Sequence, residues 1–542
     1  MELFFVGADH EVTGSCHCVH VGEKWILIDY GMEQGGDAYE NVPLPVKPSQ
    51  IDYVIVTHAH IDHTGMLPKL YHDGFAGNVI ATGASAQLCD LMLRDAAHIQ
   101  MMEAEWRNKK EKRKSGEEPY EPLYTMEDAM GVIKKIVPYA YDRIYNLCEG
   151  VRFRFTDIGH LLGSASVELW VTENGVERKL VFSGDIGNVN QPILNDPKYT
   201  SEADYVIMES TYGDRLHEKT RTNYVEELVE ILRETFTRGG NVVIPAFAVG
   251  RTQVMLYFIR EIKQKNLLPE FPDFQVFVDS PMAVGATEIF TEADRSYFDD
   301  ETRAILDSGV NPISFKGLEL SISTDDSKAI NMNENPKVII SASGMCDAGR
   351  IKHHLKYNLW RRDSTVVFVG YQAEGTLGRK LTEGESKVKI FGEDISVLCR
   401  IVQLQGMSGH ADKDGLIGWL KAFEKKPQKV FVVHGDDEVT VSFSDCLREE
   451  HGYDAQAPYS GSEFDLISGT WINEAQGIAI KKQEGGRESD AFKKLKSTGR
   501  ALEETIAGSR GMANKDLDRF NEELQALIAK YKIDTASEET AK

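Results

Sequence analysis

The chain has 542 residues, 42% of them hydrophobic and 27% charged, with a formal net charge of −24. That length exceeds one core and sets two domains plus an appendage, and the composition is that of a folded globular protein, which excludes a disordered chain. The acidic balance argues against a general nucleic-acid binder, and no apolar run reaches the roughly 18 residues of a membrane helix. The start carries Glu2 and Asp9 without a basic region, so no signal peptide is expected. Seven scattered cysteines without a CxxC pair suit a reducing compartment, and we expect the cytoplasm.

Residues 1–212 alternate short strands and turns, with one helical, charged excursion from Ala84 to Val137. Within it, the basic run from Asn108 to Gly116 reads as an exposed loop or helix end. The apolar run Ile51–Val56 reads as a buried strand, and Thr57-His58-Ala59-His60-Ile61-Asp62-His63 follows it. On an extended exit from the strand, His58 and His60 point to one side. Four ligand-type side chains in six residues suit a metal site, and two adjacent sites more than one. A second strand, Val151–Phe155, is followed by Gly159-His160. Asn174-Gly175 marks a hairpin tip, and the return strand Leu180–Ser183 ends in Gly184-Asp185.

From 213 to 394 the pattern changes to helix–strand repeats. Asn223–Thr237 reads as a helix stopped by Gly239-Gly240, Asn241–Ala246 as a strand and Arg251–Lys265 as a helix. Phe274–Val278, Lys337–Ile340 and Thr365–Val369 are further strands. Such alternation predicts an inserted α/β domain with a mostly parallel sheet covered by helices. Residues 395–480 return to the first domain, and Lys429–Val433 ends in His434-Gly435. Residues 481–542 are Lys/Glu-rich, and Leu517, Phe520, Leu524, Leu527 and Tyr531 form one helical stripe, with a weaker one at Phe492, Leu495, Leu502 and Ile506. We expect a helical hairpin packed on the core; a dimerisation helix, giving a homodimer, is the sharper alternative.

The ordered set His58-x-His60-x-Asp62-His63, His160 and Asp185, with Asp29 ending an early strand, resembles the ligand series of the metallo-β-lactamase fold. Glu209 in Glu209-Ser210-Thr211-Tyr212-Gly213, His410 in Ser408-Gly409-His410-Ala411-Asp412, and His434 are similar to the three extra motifs of the β-CASP nucleases. Ser341-Ala342-Ser343-Gly344-Met345 and Gly250-Arg251-Thr252-Gln253 also look like that subfamily, and the resemblance spans about residues 1–480. It implies an αββα sandwich with a β-CASP insert and a helical tail. It implies one zinc on His58, His60 and His160, a second on Asp62, His63 and His434, and Asp185 bridging; manganese is the other metal weighed. Asp29 then orients ligands. Asp62, Glu209 and His410 form the catalytic set, with Glu209 and His410 as an acid/base pair opposite the metals.

The resemblance also implies the reaction. Two metals hydrolyse an RNA phosphodiester through an activated water, His410 protonates the leaving 3′-oxygen, and the products carry a 5′-phosphate and a 3′-hydroxyl. Histidine at the last motif goes with RNA-processing members of the family, so His434 points to single-stranded RNA. The order of motifs is closer to the endonuclease subunit of pre-mRNA cleavage machinery and its compact prokaryotic relatives than to ribonuclease J. Between Asp347 and Lys389 there are nine Lys/Arg against five acids, which suits either a basic groove or a solvated face. Arg251 and Arg379 are the arginines expected on the RNA backbone, with Ser343 and His353 as further substrate contacts; His354 is weighed with His353. Three rival readings fit less well: a small-molecule hydrolase, which needs neither the insert nor His410; a diiron redox protein, which carries Glu where His60 stands; and a non-catalytic scaffold, which loses ligands.

Overall fold

The computed structural model describes residues 1–35, 39, 41–111, 119–217, 223–404, 406–480 and 514–531, and eight single positions between 494 and 509. It divides into two units, Met1–Ala479 and Ile480–Lys542.

The larger unit begins with a sheet of eight strands. Their spatial order is Thr470–Asn473, Glu463–Asp465, Glu2–Gly7, Cys16–Val21, Lys24–Ile28, Tyr53–Ile55, Asn78–Thr82 and Ile136–Tyr139. From Lys24–Ile28 onward the pairing is parallel. A second sheet has seven strands, in the order Ala455–Gln456, Lys429–Val433, Tyr205–Glu209, Val176–Phe182, Ala165–Glu173, Val151–Asp157 and Tyr145–Cys148. Val176–Phe182, Tyr205–Glu209 and Lys429–Val433 run parallel. Their carboxyl ends therefore share one edge, which brings Asp185, Glu209 and His434 together.

Period-two patterning builds the core between these sheets. Val151, Phe153 and Phe155 are buried while Arg152 and Arg154 stand half out. The buried set meets Leu3, Phe5, Ile26, Ile28 and Ile55 of the first sheet in one cluster. Leu67, Leu70 and Leu88 cover Val54 and Val79 on one outer face, and Leu416, Trp419, Phe443 and Leu447 cover Val206, Val430 and Val432 on the other. This is the αββα sandwich expected from the motifs. The hairpin tip is also as expected: Asn174 and Gly175 take φ of 52° and 79°, the two left-handed positions of a type I′ turn. The strand expected over Ile51–Val56 is shorter, Tyr53–Ile55, because Ile51 closes the short turn Pro48–Gln50.

A third sheet of six strands is parallel throughout, in the order Leu318–Ser321, Gln275–Asp279, Lys337–Ser341, Val242–Pro245, Thr365–Phe368 and Arg400–Gln403. Ile351, Leu355 and Leu359 cover one face. On the other, Ile244, Ile340 and Val367 pack in a cluster that includes Leu161 and Leu162, next in sequence to His160. The sixth strand lies past residue 394, so by sheet membership the inserted layer runs to Gln403.

In the smaller unit, Asn514–Tyr531 is a helix with Leu517, Phe520 and Leu524 half-buried and Leu527 exposed. Phe492 and Leu495 of the weaker stripe lie outside the described residues, as do Lys112–Gly116 of the basic run. No described helix is long and apolar enough to cross a membrane.

Candidate metal centre and active site

Four strand ends and one short helix deliver seven donors to one point. Behind Tyr53–Ile55 the chain leaves the sheet at His58, and Ile61–Thr64 forms a single turn that presents Asp62 and His63. Gly31 lets this turn approach, since a Cβ there would lie 1.6 Å from the Asp62 carbonyl oxygen. His58, His60, His160 and Asp185 form one group of donor atoms, and Asp62, His63 and His434 another. Asp185 faces both. Its Oδ2 lies 3.4 Å from His58 Nε2 and 3.5 Å from His160 Nε2. Its Oδ1 lies 3.2 Å from His63 Nε2 and 3.6 Å from His434 Nε2.

Most of these imidazoles are held from behind. His63 Nδ1 lies 2.8 Å from Asp29 Oδ2, while Asp29 also accepts from the Thr57 backbone N–H and hydroxyl, both at 2.7 Å. The Thr57 hydroxyl is spent on Asp29, so at 3.2 Å it accepts from His58 Nδ1. Thr211 repeats this arrangement: its hydroxyl donates to the His434 carbonyl at 3.2 Å and faces His434 Nδ1 at 3.3 Å. His160 Nδ1 faces the Gly409 carbonyl at 3.3 Å. In each case the proton sits on Nδ1 and the Nε2 lone pair points inward. His60 is the exception; its Nδ1 is the inward atom, 3.0 Å from His58 Nε2 and 3.3 Å from His160 Nε2.

The donor set fits a metal cation on its own chemistry. Asp185 Oδ1 is buried without a hydrogen bond. His63 Nε2 and His434 Nε2 stand 3.1 Å apart with both Nδ1 atoms already engaged, an arrangement of two lone pairs that a cation satisfies. Burial, followed by the neighbouring His63, pushes His58 well below the usual imidazole range, and burial followed by His410 does the same to His160. Both rings are thus neutral, as a ligand must be.

Glu209 and His410 lie beside this centre. His410 Nδ1 is 3.4 Å from Glu209 Oε1 and 4.0 Å from Asp185 Oδ2. Glu209 is fixed by the Ile186 N–H at 2.5 Å and the Thr211 N–H at 3.3 Å. Burial opposes a charge on His410, but Glu209, then Asp185 and Asp62, hold the ring up to about 9. His217, which sequence reasoning passed over, donates from Nε2 to the His410 carbonyl at 2.9 Å and so braces the loop.

The four substrate residues expected from sequence meet different fates. Arg251 opens the helix Arg251–Gln264 after Gly250, whose φ of 82° turns the chain. Burial brings its guanidinium down to about 10, and Tyr224 and Tyr212 are its near neighbours. Gly250 sits against Leu161, 3.4 Å from a Cβ built on it, so this loop touches the residue after His160. Ser343 lies in the neighbouring loop and exchanges hydrogen bonds with Ala348 at 3.3 and 3.4 Å. Arg379 pairs with Glu383 at 2.6 Å. His353 lies over Phe391, with ring centres 4.5 Å apart. His354 is buried, with Nε2 2.7 Å from Asp279 and Nδ1 2.9 Å from Asn331, so it is a core residue of the insert and not a substrate contact. Five of the nine basic residues counted above, Arg350, Lys356, Arg361, Arg379 and Lys387, pair with acids. His17 and His20 are strand residues, as expected.

An αββα sandwich with histidine and carboxylate donors at its strand ends, interrupted by a parallel sheet, defines a metal-dependent hydrolase of the metallo-β-lactamase fold. Comparison with known families agrees along the chain. Residues 11–246 match the metallo-beta-lactamase superfamily, 252–381 the Beta-Casp domain, and 394–458 the Zn-dependent metallo-hydrolase RNA specificity domain. Ribonuclease TTHA0252 of Thermus thermophilus is 37% identical over 448 residues, covering 82% of this chain and 96% of its own length. Transcription termination factor FttA of Methanosarcina mazei is 30% identical and covers 82% of this chain and 68% of its own; that of Methanothermobacter thermautotrophicus is 30% identical over 84% and 70%. The chain belongs to the β-CASP nucleases of the metallo-β-lactamase fold.

Proposed function

We propose that this chain is a two-zinc ribonuclease that cuts single-stranded RNA to leave a 5′-phosphate and a 3′-hydroxyl. The observation that carries this reading is Asp185, whose two oxygens face two separate imidazole groups while Oδ1 lacks a hydrogen bond. His58, His60 and His160 would hold one zinc, Asp62, His63 and His434 the other, and Asp185 both; manganese suits the same donors. Bound there, the metals supply Lewis acidity toward a phosphodiester and a water acidified to near neutral pKa.

The chain's own residues do the rest. Asp29, Thr57 and Thr211 keep the ligand rings in the tautomer that binds. His410 carries a proton, with Glu209 stabilising its charge, and delivers it to the leaving 3′-oxygen. Arg251 contacts the backbone of the strand, with Ser343, Arg379 and His353 further out along it. Residues 1–212 and 395–480 supply the metallo-β-lactamase part, 213–394 the insert, and 481–542 the extension, with a homodimer and a cytoplasmic location in keeping with the composition. The ribonuclease of Thermus thermophilus and the match to the RNA specificity domain support an RNA substrate.

A gel tests it. Single-stranded RNA labelled at its 5′ end or internally is incubated beside a nitrocefin-type lactam. We expect RNA cleavage within the chain, and also from the 5′ end, and no lactam turnover. Lactam turnover with intact RNA would overturn the reading.

A further inference from the structure

The carboxyl edge of the insert's parallel sheet carries two exposed aromatic rings that the metal chemistry does not use. Phe247 follows the strand Val242–Pro245 and is 48% exposed; Tyr371 follows Thr365–Phe368 and is 54% exposed. These two strands are neighbours in the sheet. Ligands of parallel α/β sheets bind outside this edge. Two large rings left half in solvent on neighbouring loops offer an apolar contact surface.

The backbone under both rings is braced. The Phe247 carbonyl accepts from the Thr252 hydroxyl at 2.8 Å and from its N–H at 3.3 Å. The Gln253 side chain holds Gly250 N–H and the Ala248 carbonyl at 2.7 and 3.2 Å. Gly344 leaves room for the Phe247 ring, which a Cβ would approach to 3.1 Å. Gln372 Nε2 donates to the carbonyls of Gly344 and Tyr371 at 3.1 and 3.0 Å, tying the loops of Tyr371 and Gly344 together. The backbone beneath the rings is therefore held in place, and the rings stand about half in solvent.

The path from these rings leads to the metal centre. Arg215 and Arg379, each paired with its own acid, Asp214 at 2.7 Å and Glu383 at 2.6 Å, lie in the neighbourhood of Tyr371. Arg215 lies 5.1 Å from the Tyr212 ring centre, and Tyr212 meets His410 edge-on at 5.9 Å. On the other side, the loop of Phe247 ends at Gly250 against Leu161. Cations beside aromatic faces, next to a phosphodiester site, match a single strand, whose bases have π-faces and whose linkages are anionic.

The geometry points to Phe247 and Tyr371 as a stacking platform for two unpaired bases next to the scissile phosphate. This rests on the ribonuclease reading above. Stacking is indifferent to base identity, so the platform would select unpaired strands over duplex and any base over none.

The test uses the full chain and RNA carrying 2-aminopurine near the cleavage position, beside the same strand with abasic residues there. With the parent, binding should quench 2-aminopurine, and the intact strand should bind and be cut in preference to the abasic one. Phe247→Leu keeps the apolar contact with Gly344 and removes the stacking face; Tyr371→Leu does the same at the second position. Each should relieve part of the quenching and reduce the preference about 5- to 100-fold, while Phe247→Trp restores it. Parent-like quenching and preference in both Leu variants would overturn the platform. A parent that cuts no RNA would instead overturn the ribonuclease reading beneath it.

Discussion

At the metal centre, four of the five imidazoles are held from behind on Nδ1, by Thr57, Asp29, Gly409 or Thr211. At the insert's edge, Phe247 and Tyr371 stand half in solvent, and only the backbone beneath them is tied down. The first region is finished before any ligand arrives: its donors, tautomers and charges are set by buried partners. The second offers faces and cations that a strand must complete. Damage to the first should therefore appear in metal content and turnover, and damage to the second in binding and its salt dependence.

The largest effect should come from Asp185→Ala, which removes the carboxylate shared by both donor groups. Metal content and RNA cleavage should both fall below detection, read by elemental analysis and a cleavage gel; a variant that keeps both would dissolve the contrast. His410→Ala comes next. It should keep its metal and bind RNA, yet lose about 10²–10⁴-fold in single-turnover rate. A metal-free His410→Ala would make this residue a ligand. Asp29→Ala removes the acceptor behind His63 and should weaken metal affinity about 10–100-fold in a chelator competition.

The insert side gives smaller effects. Arg251→Ala should weaken RNA binding for every sequence and flatten the salt dependence by about one unit of slope. Arg379→Ala should do less, because Glu383 already holds that guanidinium. Equal losses from the two would break the distinction between a waiting cation and a paired one. Within the insert core, burial raises the Asp279 carboxyl, but hydrogen bonds from His354, Ser327 and Arg350 prevail and bring it to about 2. A depressed carboxyl stabilises the fold above its unfolded value near 4 and loses that contribution as pH falls toward 2. Acid unfolding followed by circular dichroism should show Asp279→Asn less stable at neutral pH, with the difference closing below about pH 4; an unchanged difference at pH 2 would contradict the assignment.

Most of the candidate donors were legible in the sequence because they follow apolar runs, as at His58 after Ile51–Val56 and His434 after Lys429–Val433. What holds them was not. Thr211 and His434 are 223 residues apart, and nothing local announces their contact. His354 looked like a surface histidine among basic residues because its partner, Asp279, lies 75 residues upstream. By sheet membership the insert's layer extends past the helix–strand repeats that the sequence displays, for a physical reason. Lys387–Ile390 and Glu393–Ser396 form an antiparallel pair, so the helix–strand alternation stops before the short sixth strand Arg400–Gln403. Arg379 and Glu383 stand four apart on one helix face, a spacing that the sequence displayed openly and that favoured the ion pair. Phe247 and Tyr371 carry no signal at all, since exposure belongs to the folded edge and not to the segment.

The most direct test of the account counts metal. Protein purified without chelator should carry about two zinc ions per chain and cut RNA. Removing them should abolish cleavage, and returning zinc or manganese should restore it. A metal content near zero, with RNA cleavage intact in EDTA, would contradict the two-metal centre built on Asp185.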